Sequence, residues 1–368
     1  MNNPNIIIAG GGTGGHLFPA IAIGEEIRNK MPDANIHYIG SVYGLESKVF
    51  PIKDLVHTLL PIKGLQRGLS MKGLLKNFIL PFRIISSILK VRSLYKDIKP
   101  SLIIGTGGYA SAIPLFVASR LNPKIPILLQ EQNSYPGLTT RIFANKAKKI
   151  CVAFDYDNFN YKQKIELTGN PIRNNINSGN KNKAYKDLQL NKNKNTLFIF
   201  GGSQGSSILN KSIKSIINNL KNSNTQILWQ TGTNEFLKYK KYNSETTKVV
   251  SFINDMANAY SIADLIVCRS GAITLSEITT CGKPSILIPF AAAAENHQLK
   301  NAKTLLDAGA SSLIEEKDLI SNILYKKINS LLNDKERLKK MSLAAKKLSK
   351  PNAATNIAKL SLEIGFNV

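Results

Sequence analysis

An apolar run, a cluster of glycines and a helical segment follow one another twice in this chain, and that repeat limits its architecture more than any other feature. The first copy is Asn5 to Ala9, then Gly10-Gly11-Gly12-Thr13-Gly14-Gly15-His16, then a helix from about Phe18 to Lys30. At Thr196 the pattern restarts, with Leu197 to Phe200, Gly201-Gly202-Ser203-Gln204-Gly205-Ser206 and a helix from Ile208 to Leu220. Unbroken apolar strands of this kind fill parallel sheets covered on both faces. Each strand, loop and helix winds right-handed into the next strand. A chain of 368 residues exceeds what one core usually organises. The expectation is therefore an α/β protein with two parallel-sheet domains of like design.

The remaining segments fill out both sheets. Ile36 to Ile39, Ser101 to Ile104, Ile125 to Leu129, Lys149 to Ala153 and Ile165 to Leu167 read as strands of the first domain. Gly105-Thr106-Gly107-Gly108-Tyr109 is a second glycine loop at the same sheet edge, and Gln130-Glu131-Gln132-Asn133 ends another strand there. Thr168-Gly169-Asn170-Pro171-Ile172-Arg173 reads as the hinge out of that domain. Glycine loops between strand and helix bring backbone N–H groups close to an anion. Gly10, Gly12 and Gly15 formally fit the dinucleotide pattern, but the next strand ends in Gly40-Ser41 with no acid before Glu46. That excludes the dinucleotide reading, and the lack of Gly-Lys-Ser/Thr excludes a P-loop.

Ala263 to Phe290 is the chemically richest unit. Leu265 to Cys268 is a strand, Ser270-Gly271 a turn, and a helix of about ten residues stops at Gly282 before the strand Ser285 to Ile288. Glu277 shares a helix face with Ile273 and Thr274. N–H groups at Gly271 and Ala272 suit a phosphate, and an acceptor-only carboxylate suits two ribose hydroxyls. Complementing the helix dipole is the alternative role for Glu277.

Lys and Arg number 49 against 24 Asp and Glu, a net charge of +25. Such a balance draws polyanions, although a Lys- and Asn-rich composition explains it as well. A basic recognition helix, interleaved aromatics and a Cys/His finger are all missing, which argues against nucleic acid. Cys151, Cys268 and Cys281 form no metal pattern and read as buried thiols of a reducing compartment. Without a run of eighteen apolar residues or a basic-then-apolar leader, the expectation is a cytosolic or peripherally attached protein. Leu74, Phe78, Phe82, Ile85 and Leu89 recur at helical spacing among basic residues. After Pro81 the stripe reads as core. Before it, Leu74, Leu75, Phe78 and Ile79 with Lys72, Lys76 and Arg83 read equally as core or as an interfacial patch.

In order along the chain, Gly11 to His16, Gly107 to Tyr109, Glu131 to Asn133, Gly169 to Arg173, Gly201 to Gly205 and Ser270-Gly271-Ala272-x-Thr274-x-x-Glu277 resemble glycosyltransferase family 28. In that family lie the lipid II-forming N-acetylglucosaminyltransferases. The resemblance covers essentially the whole chain. It implies the GT-B fold, two Rossmann-like domains with a cleft between them. Residues 1–170 would bind the acceptor and the membrane, with helix 352–368 packing back on them, and residues 171–351 would bind the donor.

The implied reaction is inverting transfer of N-acetylglucosamine from UDP-N-acetylglucosamine to the C4 hydroxyl of lipid I, an undecaprenyl-diphosphate-linked muramyl sugar, giving lipid II for peptidoglycan. No cofactor or metal is implied. Ile253 would meet uracil and Glu277 the ribose, while Ser203, Gln204, Ala272, Ile273, Thr274, Leu275 and Ser276 would line the donor. Arg173 would meet the leaving phosphate, and Asn133 and Gln298 the sugar. Thr13, Gly14, Gly15, Thr106, Gly107, Gly108 and Tyr109 would face the acceptor. His16 is the candidate base and Glu131 its rival, with His16 alternatively a donor to phosphate or a structural cap; Gln130 stands where the family usually has histidine. The implied location is the cytoplasmic face of the bacterial inner membrane, peripheral and on an anionic surface, with other cell-wall synthesis proteins as further partners. A lipid acceptor such as diacylglycerol, or nucleotide-sugar binding without catalysis, are the competing readings.

Overall fold

The computed structural model describes residues 4–64, 80–121, 123–155, 160–173, 175–202, 204–221 and 224–366. Ser203 and the expected patch residues Lys72, Leu74, Leu75, Lys76, Phe78 and Ile79 lie outside them. The chain divides into two compact units, Met1–Ile172 with Pro351–Val368, and Arg173–Lys350.

The first unit runs β1 (Asn5–Ala9), α1 (Gly14–Lys30), β2 (Asn35–Ser41), α2 (Glu46–Ile52), β3 (His57–Leu60), α3 (Leu80–Ile98), β4 (Leu102–Gly105), α4 (Tyr109–Ala118), β5 (Ile127–Glu131), α5 (Leu138–Phe143), β6 (Lys149–Val152) and β7 (Ile165–Leu167). Among the described residues its sheet has the order β3-β2-β1-β4-β5-β6-β7, with every pairing parallel. Successive side chains of a strand face opposite ways. Ile6 and Ile8 therefore pack with Leu17, Ile21 and Ile27 on one face. Ile7 and Ala9 pack with Val91, Ile103 and Leu115 on the other. Two covered faces are the reason the strands carry no polar alternation.

The second unit runs α6 (Lys181–Leu188), β8 (Asn195–Phe200), α7 (Ser207–Lys221), β9 (Thr225–Gln230), α8 (Phe236–Tyr239), β10 (Thr247–Val250), α9 (Met256–Ile262), β11 (Leu265–Cys268), α10 (Ala272–Thr280), β12 (Ser285–Leu287), α11 (His297–Asp307), β13 (Ser311–Leu313), α12 (Ser321–Leu332) and α13 (Lys335–Lys347). Its six parallel strands, counted among the described residues, run β10-β9-β8-β11-β12-β13. Leu197 and Ile199 join Trp229, Val267 and Ile328 in one core. Phe198 and Phe200 stack at 4.6 Å between ring centres on the other face, with Tyr260 edge-on to both.

The last helix, α14 (Ala353–Phe366), belongs to the first unit. Ile357, Ala358 and Leu362 join the core beside α1, and Thr355 Oγ1 donates to Glu26 at 3.0 Å.

In each unit the strand order reverses beside the first strand, between β1 and β4 and between β8 and β11. The helices that follow two such strands cover opposite faces of the sheet, so both glycine loops of a unit arrive at its ligand-binding edge.

One expectation is corrected here. Phe82, Ile85 and Leu89 are not core: their exposures are 68%, 56% and 61%. Helix α3 instead buries Ser87, Val91 and Tyr95, and Tyr95 donates its hydroxyl to the Pro114 carbonyl at 3.1 Å. Its sequence carries two stripes at helical spacing. Tyr95 is the residue with both a ring to bury and a hydroxyl to satisfy, and its stripe is the one that faces the sheet.

Candidate active site

In the first unit the loops after β1 and β4 are pressed together. Gly108 has φ of 75°, and a Cβ there would lie 2.3 Å from the Gly11 carbonyl oxygen. Gly107, with φ of 92°, would bring a Cβ within 2.9 Å of His16 Nδ1. Both conformation and clearance thus demand glycine. Gly108→Ala should lower unfolding stability by about 1–2 kcal/mol from the left-handed backbone alone, with the collision adding to it. A denaturant titration matching that of the parent protein would refute this account of the loop.

His16 occupies the first turn of α1. Its Nδ1 lies 3.0 Å from the Thr106 carbonyl oxygen and 2.8 Å from Gln132 Oε1. Thr106, fully buried, returns a hydrogen bond from Oγ1 to the His16 carbonyl at 2.9 Å. Thr13 caps the helix through its backbone, its carbonyl accepting from Leu17 at 3.1 Å. The first-turn N–H groups of Gly14 and Gly15 have no carbonyl four residues back within the helix, and so remain anion-seeking. Tyr109 opens α4 against Gly12, and burial raises its phenol.

The sequence reading missed Glu46. Its carboxylate is fully buried and accepts from Gly12 N at 2.9 Å and Ser41 N at 2.8 Å. It sits beneath the first glycine loop and ties it to the end of β2. A carboxylate following β2 was sought for its ability to bind a ribose; here it binds the loop itself, a role that the spacing does not announce.

Glu131, the rival candidate, ends β5. Oε1 accepts from Asn133 N at 3.1 Å and Asn133 Nδ2 at 3.3 Å, and Oε2 accepts from Gly137 N at 2.8 Å and Thr140 Oγ1 at 2.6 Å. With both oxygens engaged, the carboxylate holds the turn from Glu131 to Thr140.

In the second unit Glu277 is 5% exposed. Its Oε2 accepts from the Tyr260 hydroxyl at 2.9 Å, and its Oε1 lies 3.4 Å from Arg173 Nε. Burial pushes the carboxyl above the usual range, opposed by the Arg173 charge and the Tyr260 hydrogen bond. Arg173, expected at a phosphate, thus rests on the carboxylate expected at the ribose.

Ile273 and Thr274 are half-buried on the first turn of α10, behind Gly271 and Ala272. Leu275 is buried in the core and its N–H donates to Gly271 at 3.0 Å, while Ser276 Oγ bonds back to Ala272 at 3.1 Å. Ser276 follows Ile273 by three residues and Ala272 by four, and so shares their face of the helix.

Ile253 gives its N–H to Gln230 Oε1 at 2.8 Å. Gln204 is exposed on its loop. Gln298 Oε1 accepts from Phe290 N at 3.0 Å, and its backbone carbonyl accepts from Ser270 Oγ at 2.8 Å, which leaves the amide NH₂ to donate.

Arg269 was also missed. Its guanidinium donates to the Ile288 and Pro289 carbonyls, both at 3.1 Å, and to Ser206 Oγ at 2.8 Å, pairs with Glu316 and lies over the Phe290 ring. It ties the glycine loop after β8 to the end of β12. Its place between a strand and Ser270-Gly271 was visible, but not that its partners are carbonyls distant in sequence.

Residues 6–152 match the N-terminal domain of glycosyltransferase family 28, and residues 196–357 match its C-terminal domain. A Flavobacterium psychrophilum protein is 40% identical over 361 residues, covering 97% of this chain and 96% of its own. It is named UDP-N-acetylglucosamine–N-acetylmuramyl-(pentapeptide) pyrophosphoryl-undecaprenol N-acetylglucosamine transferase. The crystal structure of Acinetobacter baumannii MurG superposes with a TM-score of 0.76 at 24% identity, covering 98% of this chain and 99% of that one. A UDP-N-acetylglucosamine 2-epimerase superposes with a TM-score of 0.64 at 14% identity, covering 99% and 96%. The fold is therefore shared by proteins of different chemistry.

Proposed function

Since the chain belongs to glycosyltransferase family 28, we propose that its two glycine-loop edges serve one inverting transfer, the second unit taking the donor and the first the acceptor. The enzyme moves N-acetylglucosamine from UDP-N-acetylglucosamine to the muramyl sugar of undecaprenyl-diphosphate-linked lipid I, forming lipid II. The full-length kinship with transferases of that name carries this reading. Mass spectrometry of a mixture with both substrates tests it: a disaccharide-lipid product is expected. A lack of product with lipid I but turnover on a diacylglycerol acceptor would transfer the assignment to another lipid glycosyltransferase.

On the donor side, Glu277 accepts from the ribose hydroxyls, the Ile253 carbonyl meets uracil, and the diphosphate lies along Ser203, Gln204 and the N-terminus of α10. Arg173 leaves Glu277 to meet the departing phosphate, and Gln298 and Asn133 hold the sugar. Charge building on the leaving diphosphate is met by the Arg173 guanidinium and by the N-terminus of α10, with no metal required.

On the acceptor side, Gly14, Gly15 and the loop from Thr106 to Tyr109 hold the acceptor's diphosphate and sugar. His16 is the base that takes the C4 hydroxyl proton. Glu131 is set aside because its oxygens already hold four donors.

Among the described residues no helix is long and apolar enough to cross a membrane. The enzyme sits peripherally on the cytoplasmic leaflet, where its polyprenyl substrate is anchored. Phe82, Ile85 and Leu89 form an exposed apolar row on α3, with Arg92 and Lys96 beside it. Each basic residue near an anionic surface contributes about 1 kcal/mol, and the apolar row adds burial. Replacing the three apolar residues with serine should reduce binding to anionic vesicles by about tenfold or more. Activity on a soluble short-chain acceptor should persist. Equal vesicle binding by the parent and the variant would remove α3 from the membrane contact.

A further inference from the structure

We propose that Gln132 is a positioning residue for His16: together with the Thr106 carbonyl it holds the imidazole in the tautomer that keeps its proton on Nδ1 and its lone pair on Nε2. The proposal rests on the reading of His16 as the base. Gln132 is 2% exposed. Its NH₂ donates to the Thr106 carbonyl at 2.7 Å, to the Gln130 carbonyl at 3.3 Å and to Gln130 Oε1. Turning the amide over would set its oxygen against those three oxygens. The end facing His16 Nδ1 at 2.8 Å is therefore Oε1, an acceptor.

Gln130 is fixed in turn. Its Nε2 donates to Asn170 Oδ1 at 3.0 Å, and Asn170 Nδ2 donates to the Gln132 carbonyl at 3.1 Å. All three amides are buried. A carbonyl and an amide oxygen at one ring nitrogen both require N–H there, and a neutral imidazole has only one. Nε2 is left as the acceptor of a substrate proton. The opposite tautomer would set three lone pairs against one another in a closed corner.

The ionisable groups around this corner are Tyr109 at the start of α4, Glu46 beneath Gly12 and Glu131 at the end of β5. Both carboxylates are bonded to the groups described above. Among the described residues the hydrogen bonds of the ring run to Thr106 and Gln132. The neutrality of Gln132 has its own consequence. A carboxylate in its place would set its second oxygen against the oxygens that the NH₂ now serves, and would also stabilise the imidazolium, which cannot accept a proton.

Nitrogen NMR of histidine-labelled full-length protein reads the tautomer directly. There are four histidines, so loss of one signal in His16→Ala assigns it. The expected resting state carries the proton on Nδ1; a proton on Nε2, or a mixture, overturns the proposal. In kinetics, Gln132→Met should lower kcat by about 10- to 100-fold, as loss of a supporting hydrogen bond does at other sites. The KM for UDP-N-acetylglucosamine should be unchanged. Gln132→Glu, when protonated, keeps an acceptor toward Nδ1 and an O–H donor toward the Thr106 carbonyl, so it should recover part of that loss. Equal impairment of both variants would reduce Gln132 to packing and sink the proposal. If His16→Ala retains full turnover, the base assignment fails, while the tautomer is still decided by the NMR measurement.

Discussion

Replacing His16 with alanine is expected to slow turnover by about 10² to 10⁴, the range for loss of a positioned general base. The dissociation constant for UDP should stay within about twofold, because the donor groups are in the other unit. The fold should survive, since the half-buried ring is held by two hydrogen bonds and anchors no core cluster. Glu131→Gln provides the contrast. It keeps the side-chain volume but sets an NH₂ against groups that now donate, so its activity loss should come with a lower melting temperature. Calorimetry and steady-state rates on both variants separate the two roles. A large rate loss in Glu131→Gln at unchanged stability, with His16→Ala near normal, would reverse the assignment.

Glu277→Ala should weaken UDP binding by about 1–3 kcal/mol, the scale for hydrogen bonds to a charged group, or roughly 5- to 150-fold in dissociation constant. The same change removes the partner of the buried Tyr260 hydroxyl, so Tyr260→Phe is the necessary control: it keeps the carboxylate and should bind UDP nearly as well as the parent. Because burial raises the Glu277 carboxyl, its ionised form is lost on acidification earlier than that of an exposed glutamate. UDP affinity should therefore begin to fall at a higher pH than the ordinary carboxylate range, and this fall should be missing in Glu277→Ala. Titration calorimetry across that range checks both. An affinity unaffected by the substitution would remove Glu277 from the ribose.

The parts of the molecule legible in sequence are those governed by short-range rules. Strands such as Ile6 to Ala9 and Leu265 to Cys268 are legible because two-sided burial leaves an unbroken apolar run. Gly271 and Gly282 bracket α10 because a cap and a left-handed stop are local demands. What escaped depends on partners far along the chain. Glu46, Arg269 and Gln132 each act by bonding to backbone or amide groups brought near only by the sheet order. Helix α3 shows a further limit, since periodicity finds two stripes but does not say which one turns inward.

The placement of α14 governs how this polypeptide can be made and dissected. The second unit is a continuous insertion, Arg173–Lys350, within a first unit that is closed by residues emerging only afterwards. Leu17, Ile21 and Ile27 await Ile357, Ala358 and Leu362, so the earliest residues translated are among the last to have their apolar face covered. Pairing across such a sequence separation is entropically slow. The inserted unit has its own core and is free to settle first, reversing the usual N-to-C order of domain maturation. Truncation at Lys350 would spare the inserted unit and strip the surrounding one, although the missing residues are adjacent in sequence only to the unit they leave intact.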